Sequence, residues 1–88
     1  MEVYVIYNDD NQLQRIKDSE FKLNPFFHFM DYRIYKERKN AFKIMGHFAS
    51  KKPPFVGIYD DSGKALKGFY SEASNDVIND LINYLKNE

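Results

Sequence analysis

The chain of 88 residues contains no cysteine and no tryptophan, and its only histidines are His28 and His47. The absence of cysteine excludes a disulfide, a thiolate nucleophile and a cysteine-ligated metal in this chain. Two histidines are too few for a histidine-rich zinc site unless carboxylates complete it. Both histidines are expected to be structural, and the sequence predicts no cofactor.

An excess of charge of either sign is also absent. Lys and Arg number 13, Asp and Glu number 13, and the formal net charge is zero. This balance argues against a general nucleic-acid binder, which carries a basic excess, although it allows a local basic patch. The length fits one small domain spanning residues 1–88, and eight Phe and seven Tyr can fill its core.

Long apolar runs are missing as well. No segment approaches the ~18 apolar residues of a membrane-spanning helix. The first residues, 1–4, lack the basic region with which a secretory signal begins. A cytoplasmic location is therefore expected.

The periodicity of apolar residues divides the chain into seven segments. Strands are predicted over 3–7, 26–35, 55–59 and 65–70, and helices over about 10–19, over 37–50 and from an N-cap at Ser74 to the end. Asp60-Asp61-Ser62-Gly63 is typical of a hairpin turn between the last two strands. The order β-α-β-α-β-β-α predicts an α/β fold, with helices on both faces of a four-stranded mixed sheet.

Two prolines, Pro53 and Pro54, stand directly before the third predicted strand. With this order of elements and a proline directly before the third strand, the chain resembles the thioredoxin/glutaredoxin fold over nearly its whole length. The matching segments are 3–7, 54–59, 61–64, Gly68 in the return strand and the closing helix. The resemblance implies a cis peptide bond between Pro53 and Pro54.

The chain departs from that family at the place of its redox cysteines. Family enzymes carry Cys-x-x-Cys, or a single Cys, where the first strand meets the first helix, and this chain has Asn8-Asp9-Asp10-Asn11 there. An aspartate cannot exchange disulfides, so the resemblance implies a redox-inactive scaffold. Asp9 and Asp10 could also act as a carboxylate pair or bind a divalent cation, but helix capping on a solvated loop is the simpler interpretation.

In the family, the surface beside the cis-proline holds an extended peptide against the backbone. We therefore expect a non-enzymatic protein-binding module with an accessory or regulatory role, such as a phage or mobile-element inhibitor of a host protein. Its expected binding surface consists of Tyr7, Asn8, Asp9, Asp10, Pro53 and Pro54, with the loop 70–73. A hydrolase or transferase would instead need a pocket that holds Asp9 or Asp10 beside a histidine.

Nucleic-acid binding is the alternative function. Basic residues interleaved with aromatic ones can contact phosphates and stack on bases. Such a cluster is formed by Tyr32, Arg33, Tyr35, Lys36, Arg38, Lys39 and Lys43. The competing interpretation is the exposed end of a strand followed by the polar side of a helix.

Overall fold

The structure is a computed structural model that describes residues 1–19, 25–48, 50–70 and 76–87. Its elements are β1 (Glu2–Tyr7), α1 (Asp10–Lys17), β2 (Phe27–Asp31), α2 (Tyr35–Gly46), β3 (Phe55–Tyr59), β4 (Ala65–Tyr70) and α3 (Val77–Lys86). Within these ranges the sheet has four strands in the order β2-β1-β3-β4. β1 runs parallel to β2 and antiparallel to β3, and β3 runs antiparallel to β4. The predicted α/β class and mixed sheet are confirmed.

The two central strands, β1 and β3, supply the core on both sides of the sheet. On one face Val3 and Val5 pack with α1 and α3, and on the other Ile6 and Phe55 pack with α2. The buried helix residues that meet these faces are Ile16 from α1, Val77, Ile78 and Leu81 from α3, and Ala41 and Met45 from α2. Every residue of β3 is buried, as its unbroken apolar run predicts.

Two glycines paired across β3 and β4 make room for the chain beyond α2. Gly57 and Gly68 face each other in the register, and both lie against the ring of Phe48. A Cβ atom at Gly68 would lie 2.8 Å from Phe48 Cδ1, which is closer than real Cβ contacts. The ring also packs against Phe55 and Tyr59 at centroid distances of 5.5 and 5.6 Å. The glycine pair therefore fixes how this end of α2 sits on the sheet.

The second strand is shorter than the predicted range 26–35, which was wrong at its end. Asp31 Oδ1 accepts a hydrogen bond from Arg33 N at 3.0 Å, and this side-chain turn ends the strand. The carbonyl of Ile34 then accepts bonds from the amides of Glu37 and Arg38, so α2 begins at Tyr35. It ends at Gly46, earlier than the predicted residue 50.

The predicted hairpin turn is present between β3 and β4. Asp60 Oδ1 accepts from the amides of Ser62 and Lys64, at 2.9 and 2.8 Å, and Gly63 has the positive φ of 86° that favours glycine. At the start of α3 the capping side chain is that of Asp76, which accepts from Asn79 N at 3.1 Å. The predicted N-cap, Ser74, lies outside the described residues.

No helix in the described ranges combines the length and apolar character that crossing a membrane requires.

Candidate functional site

The expected binding residues meet at one edge of the sheet. The carboxyl ends of β1 and β2 lie together there, since Tyr32 N donates to the carbonyl of Tyr7 at 2.8 Å. β3 runs the other way and begins at this edge, and its register pairs Phe55 with Ile6. The register ends at this pair, so Tyr7 and Pro54, the next residues along the two chains, lie at the same end of the sheet. We call this surface, formed by Tyr7, Asn8, Asp9, Asp10, Pro53 and Pro54, the proline edge. Of the expected loop 70–73, Tyr70 ends β4 and residues 71–73 lie outside the described residues.

The two prolines form the entry to β3. The peptide bond between Pro53 and Pro54 is cis, as expected from the resemblance. Pro53 is buried and Pro54 is half-buried. Because proline has no N–H, the backbone at Pro53 can accept a hydrogen bond through its carbonyl but cannot donate one.

The corner between β1 and α1 is ordered by a reciprocal pair of hydrogen bonds. Asp9 is the N-cap of α1, and its Oδ1 accepts from Gln12 N at 3.0 Å. Gln12 Oε1 in turn accepts from Asn8 N at 3.0 Å. The pair differs from a capping box, because Gln12 accepts from the amide of Asn8, one residue before the N-cap, and not from the amide of Asp9. The capping interpretation of Asp9 is therefore confirmed, while Asn8, Asp9 and Asp10 stay exposed.

Arg33 joins the ends of two elements across this edge. Its Nη2 donates to Asp10 Oδ1 at 2.7 Å, and its Nε and Nη2 each donate to one Asp31 oxygen at 2.9 Å. These bonds hold the pKa of Asp31 below its ordinary value. They raise the pKa of Arg33, with Asp31 as the larger cause and Asp10 as the second. The start of α1 is thus tied to the end of β2.

Tyr7 lies at the centre of the edge. Burial raises the pKa of its phenol, and the charges of Asp31 and Glu37 add to this, whereas Arg33 opposes it. The Arg33 guanidinium carbon lies 6.0 Å from the centroid of the Tyr7 ring. Tyr7 is therefore a neutral phenol near pH 7, able to donate a hydrogen bond.

The two histidines lie in other networks. His28 pairs with Glu2 and stacks on Tyr4 at 4.9 Å, and a hydrogen bond of 2.5 Å joins His47 Nδ1 to Tyr59 Oη. Within the described residues, neither histidine has a carboxylate of the proline edge as a partner. The same residues contain no cluster of three His, Asp or Glu suited to a metal ion.

The alternative basic cluster divides into two groups. Arg33 turns to the proline edge, whereas the others lie on or beside α2. Residues Tyr35, Arg38, Lys39, Phe42 and Lys43 line a shallow groove of about 310 Å³ along the helix, which we call the α2 outer face. Lys36 is exposed beside it, and the Tyr32 ring lies under the Arg38 guanidinium, 5.2 Å from the guanidinium carbon to the ring centroid.

Two residues of these surfaces escaped sequence reasoning. Asp31 lies inside the predicted strand 26–35 and was assigned no role, although the carboxyl ends of parallel strands meet at one edge and bring it beside Tyr7. Phe42 was not assigned to the basic cluster. It lies seven residues after Tyr35 and off the apolar face of the helix, and that spacing would have placed it with Tyr35.

Comparison with protein-family models, with curated proteins and with solved structures finds no match in any of the three.

Proposed function

We propose that this chain is a thioredoxin-like, redox-inactive and non-enzymatic module that binds an extended peptide of a partner protein at the proline edge. One observation carries the proposal. Pro54 directly precedes Phe55, which pairs with Ile6 of β1, so Pro54 lies at the end of the sheet where the exposed residues Asn8, Asp9 and Asp10 follow β1. This is the placement that redox members of the family use for peptide binding, here without a thiol.

The edge is organised before any partner arrives. The capping pair at Asn8 and Asp9 and the Arg33 bridge hold the first turn of α1 against the end of β2. A surface whose loop is already ordered loses less conformational entropy on binding. The Arg33 bridge therefore supports the binding role, because it fixes a loop that has no catalytic group to position.

The backbone at the proline edge restricts how a peptide can bind. In the family, the residue before the cis-proline contacts the peptide backbone, and in this chain that residue is Pro53. It offers a carbonyl acceptor but no donor, so the peptide would be held there by its own N–H donating to Pro53. We therefore expect the side chains around Tyr7 to contribute a large share of the affinity.

The charge of the edge favours a basic peptide. On the side of the edge formed by β1, α1 and β2, one guanidinium, that of Arg33, lies with three carboxylates, those of Asp9, Asp10 and Asp31. On the other side the exposed Lys51 and Lys52 precede Pro53, so the acidic character belongs to the first side. Such an imbalance attracts cations and repels acidic segments. The proposed ligand is an extended segment that carries Lys or Arg.

A displayed library of random peptides, selected against the immobilised protein, tests the proposal. Selected peptides should be enriched in Lys or Arg, and an Asn8→Arg variant should lose them, because it adds bulk and a repelling charge at the edge. The matched control is Asn83→Arg on the exposed side of α3, which should bind them unchanged. Failure to select any peptide, or equal binding by both variants, would contradict the proposal.

The remaining functional expectations stay predictions. Nucleic-acid binding draws on fewer cations than the sequence indicated, because Arg33 is engaged by Asp10 and Asp31. The regulatory role, the phage or mobile-element origin and the cytoplasmic location rest on the sequence.

A further inference from the structure

The α2 outer face exposes two aromatic rings. Tyr35 is 73% exposed and Phe42 is 51% exposed, and a spacing of seven residues places them on the same side of the helix. Ile34, just before the helix, is 48% exposed. Large apolar side chains grouped on a solvated helix face are typical of a binding surface.

The cations around these rings are not paired with acidic side chains in the part of the chain that the structure describes. Arg38, Lys39 and Lys43 form no ion pair with any carboxylate in the described ranges. Glu37 is the acidic residue of α2, and its Oε2 accepts from Asp31 N at 3.1 Å. The face therefore presents positive charge alone.

Arg38 is held in a defined position. Its Nε donates to the carbonyl of Tyr32 at 3.0 Å, and its guanidinium lies over the Tyr32 ring. That ring packs in turn against Phe42 at a centroid distance of 6.2 Å. The terminal nitrogens of Arg38 make no other hydrogen bond to described residues, and such a fixed guanidinium is suited to bind a carboxylate through two bonds.

We propose that the α2 outer face binds an acidic, amphipathic helical segment of a partner protein. The floor of the groove consists of the Tyr35 and Phe42 rings and the aliphatic stems of the cations, so it fits apolar side chains at helical spacing. The rim consists of the charged ends of Arg38, Lys39 and Lys43, which complement carboxylates on the flanks of that segment.

Charge distribution favours a peptide over a nucleic-acid strand. A single strand follows an extended track of cations, whereas these cations are confined to one helix of a chain whose formal net charge is zero. The face also differs in sign from the acidic proline edge. The proposal therefore concerns a second surface and does not rest on the proposed peptide binding at Pro54.

Titration of the ¹⁵N-labelled protein by NMR, with synthetic probes, tests this proposal. The probes are a helical peptide with Glu on one side and Leu on the other, a peptide of the same composition in scrambled order, and oligothymidylate. We expect the amphipathic peptide to shift the amides of α2 outer-face residues and to bind more weakly as salt increases. The scrambled peptide should bind less tightly.

Charge reversal provides the matched comparison. Lys39→Glu with Lys43→Glu should weaken binding about tenfold or more, whereas the same reversal at the exposed Lys17 and Lys64 should leave it nearly unchanged. Tyr35→Ala, at the most exposed ring, should also weaken it, and circular dichroism verifies that each variant is folded. Asn8→Arg should have no effect, which separates this surface from the proline edge.

Three results would overturn the proposal: no binding of the amphipathic peptide at low salt, equal binding by the two charge-reversed proteins, or shifts confined to the proline edge. Binding of oligothymidylate on α2 without binding of the peptide would identify the face as a nucleic-acid site instead.

Discussion

At the scale of single residues, Arg33 organises the proline edge. It was assigned from the sequence to a cluster of free cations, but three hydrogen bonds direct it to Asp10 and Asp31. The planar guanidinium can reach both carboxylates at once because it carries several donors in a fixed geometry. The bridge connects the start of α1 to the end of β2.

Removal of this bridge should change how Asp31 titrates. In Arg33→Ala the pKa of Asp31 should rise toward its ordinary value, because hydrogen bonds from Arg33 are the main cause of its depression. In Arg33→Lys the pKa of Asp31 should stay partly lowered, since lysine keeps the positive charge but lacks the several donors of the guanidinium. The carboxyl carbon of Asp31, followed by NMR against pH, reports the result.

The part of the bridge that reaches Asp10 should add little to stability. Arg33 and Asp10 are exposed, so their ion pair should contribute less than about 1 kcal/mol to the free energy of unfolding, and Asp10→Asn should be nearly as stable as the parent protein. An unchanged titration of Asp31 in Arg33→Ala would contradict the bridge.

At the scale of secondary-structure elements, Phe48 and the glycine pair anchor the end of α2 to the sheet. The added methyl of Gly68→Ala would press on the Cβ, Cγ and Cδ1 atoms of Phe48, which belong to its stem and ring base and cannot swing away. We expect this substitution to lower the free energy of unfolding by about 1–3 kcal/mol. Urea denaturation measures it.

Two further variants make this prediction specific. Gly46→Ala, at the last residue of α2 with no atom near the added methyl, should not destabilise the protein, and it should stabilise it by at most about 1 kcal/mol. In a Phe48→Ala background, Gly68→Ala should be less destabilising because alanine lacks the Cγ and Cδ1 atoms that the added methyl would press on. Additive effects of the two substitutions would show that the contact has no energetic role.

The start of α3 depends on Asp76, which caps the helix and pairs with Arg15 of α1. Asp76→Ala should lower the free energy of unfolding by about 1 kcal/mol through loss of the cap. Asp76→Asn keeps a capping oxygen and loses the charge, so it should be less destabilising. Equal losses in the two variants would contradict the capping role.

Asp76 should also make stability depend on pH. The hydrogen bond from Arg15 is the main cause that lowers the pKa of Asp76 in the folded protein. A carboxyl group whose pKa is lower in the folded protein stabilises the fold at pH values above its pKa in the unfolded chain, which is about 3.9. This stabilisation is lost as the pH falls from there through the lower pKa of the folded protein. Thermal unfolding between neutral pH and acid should therefore show a smaller decrease in stability for Asp76→Asn than for the parent protein. Identical pH profiles would count against the pair.

At the scale of the whole molecule, the two proposed surfaces carry opposite charge in a chain whose net charge is zero. Asp9 and Asp10 make the proline edge acidic where α1 begins, and the cations of the α2 outer face form no ion pair with a carboxylate of the described ranges. A molecule charged in this way can orient a partner during approach. The two surfaces are expected to select ligands of opposite sign.

The sequence predicted the order and layers of the helices and strands better than the residues at which they begin and end. β3 was located to the residue, because unbroken β-branched and aromatic residues identify a fully buried strand. β2 was predicted too long, because residues 32–34 continue its aromatic and apolar pattern while the side chain of Asp31 turns the backbone. Local hydrogen bonds of this kind leave no periodic signal.

The candidate surfaces were predictable in part. The resemblance predicts that Pro54 and residues 8–10 lie at one end of the sheet. The strand register is consistent with this prediction, because Phe55 pairs with Ile6. The partner of Arg33 could not be read from the sequence, since Asp10 lies 23 residues away and pairs with it through tertiary structure.

NMR titration with a library-selected peptide measures directly whether the proline edge binds an extended peptide. Binding there should give the largest amide shifts at Tyr7, Asn8, Asp9 and Asp10, with nuclear Overhauser contacts between the peptide and the ring of Pro54. Shifts centred on α2 or elsewhere, with the amides of the proline edge unchanged, would contradict it.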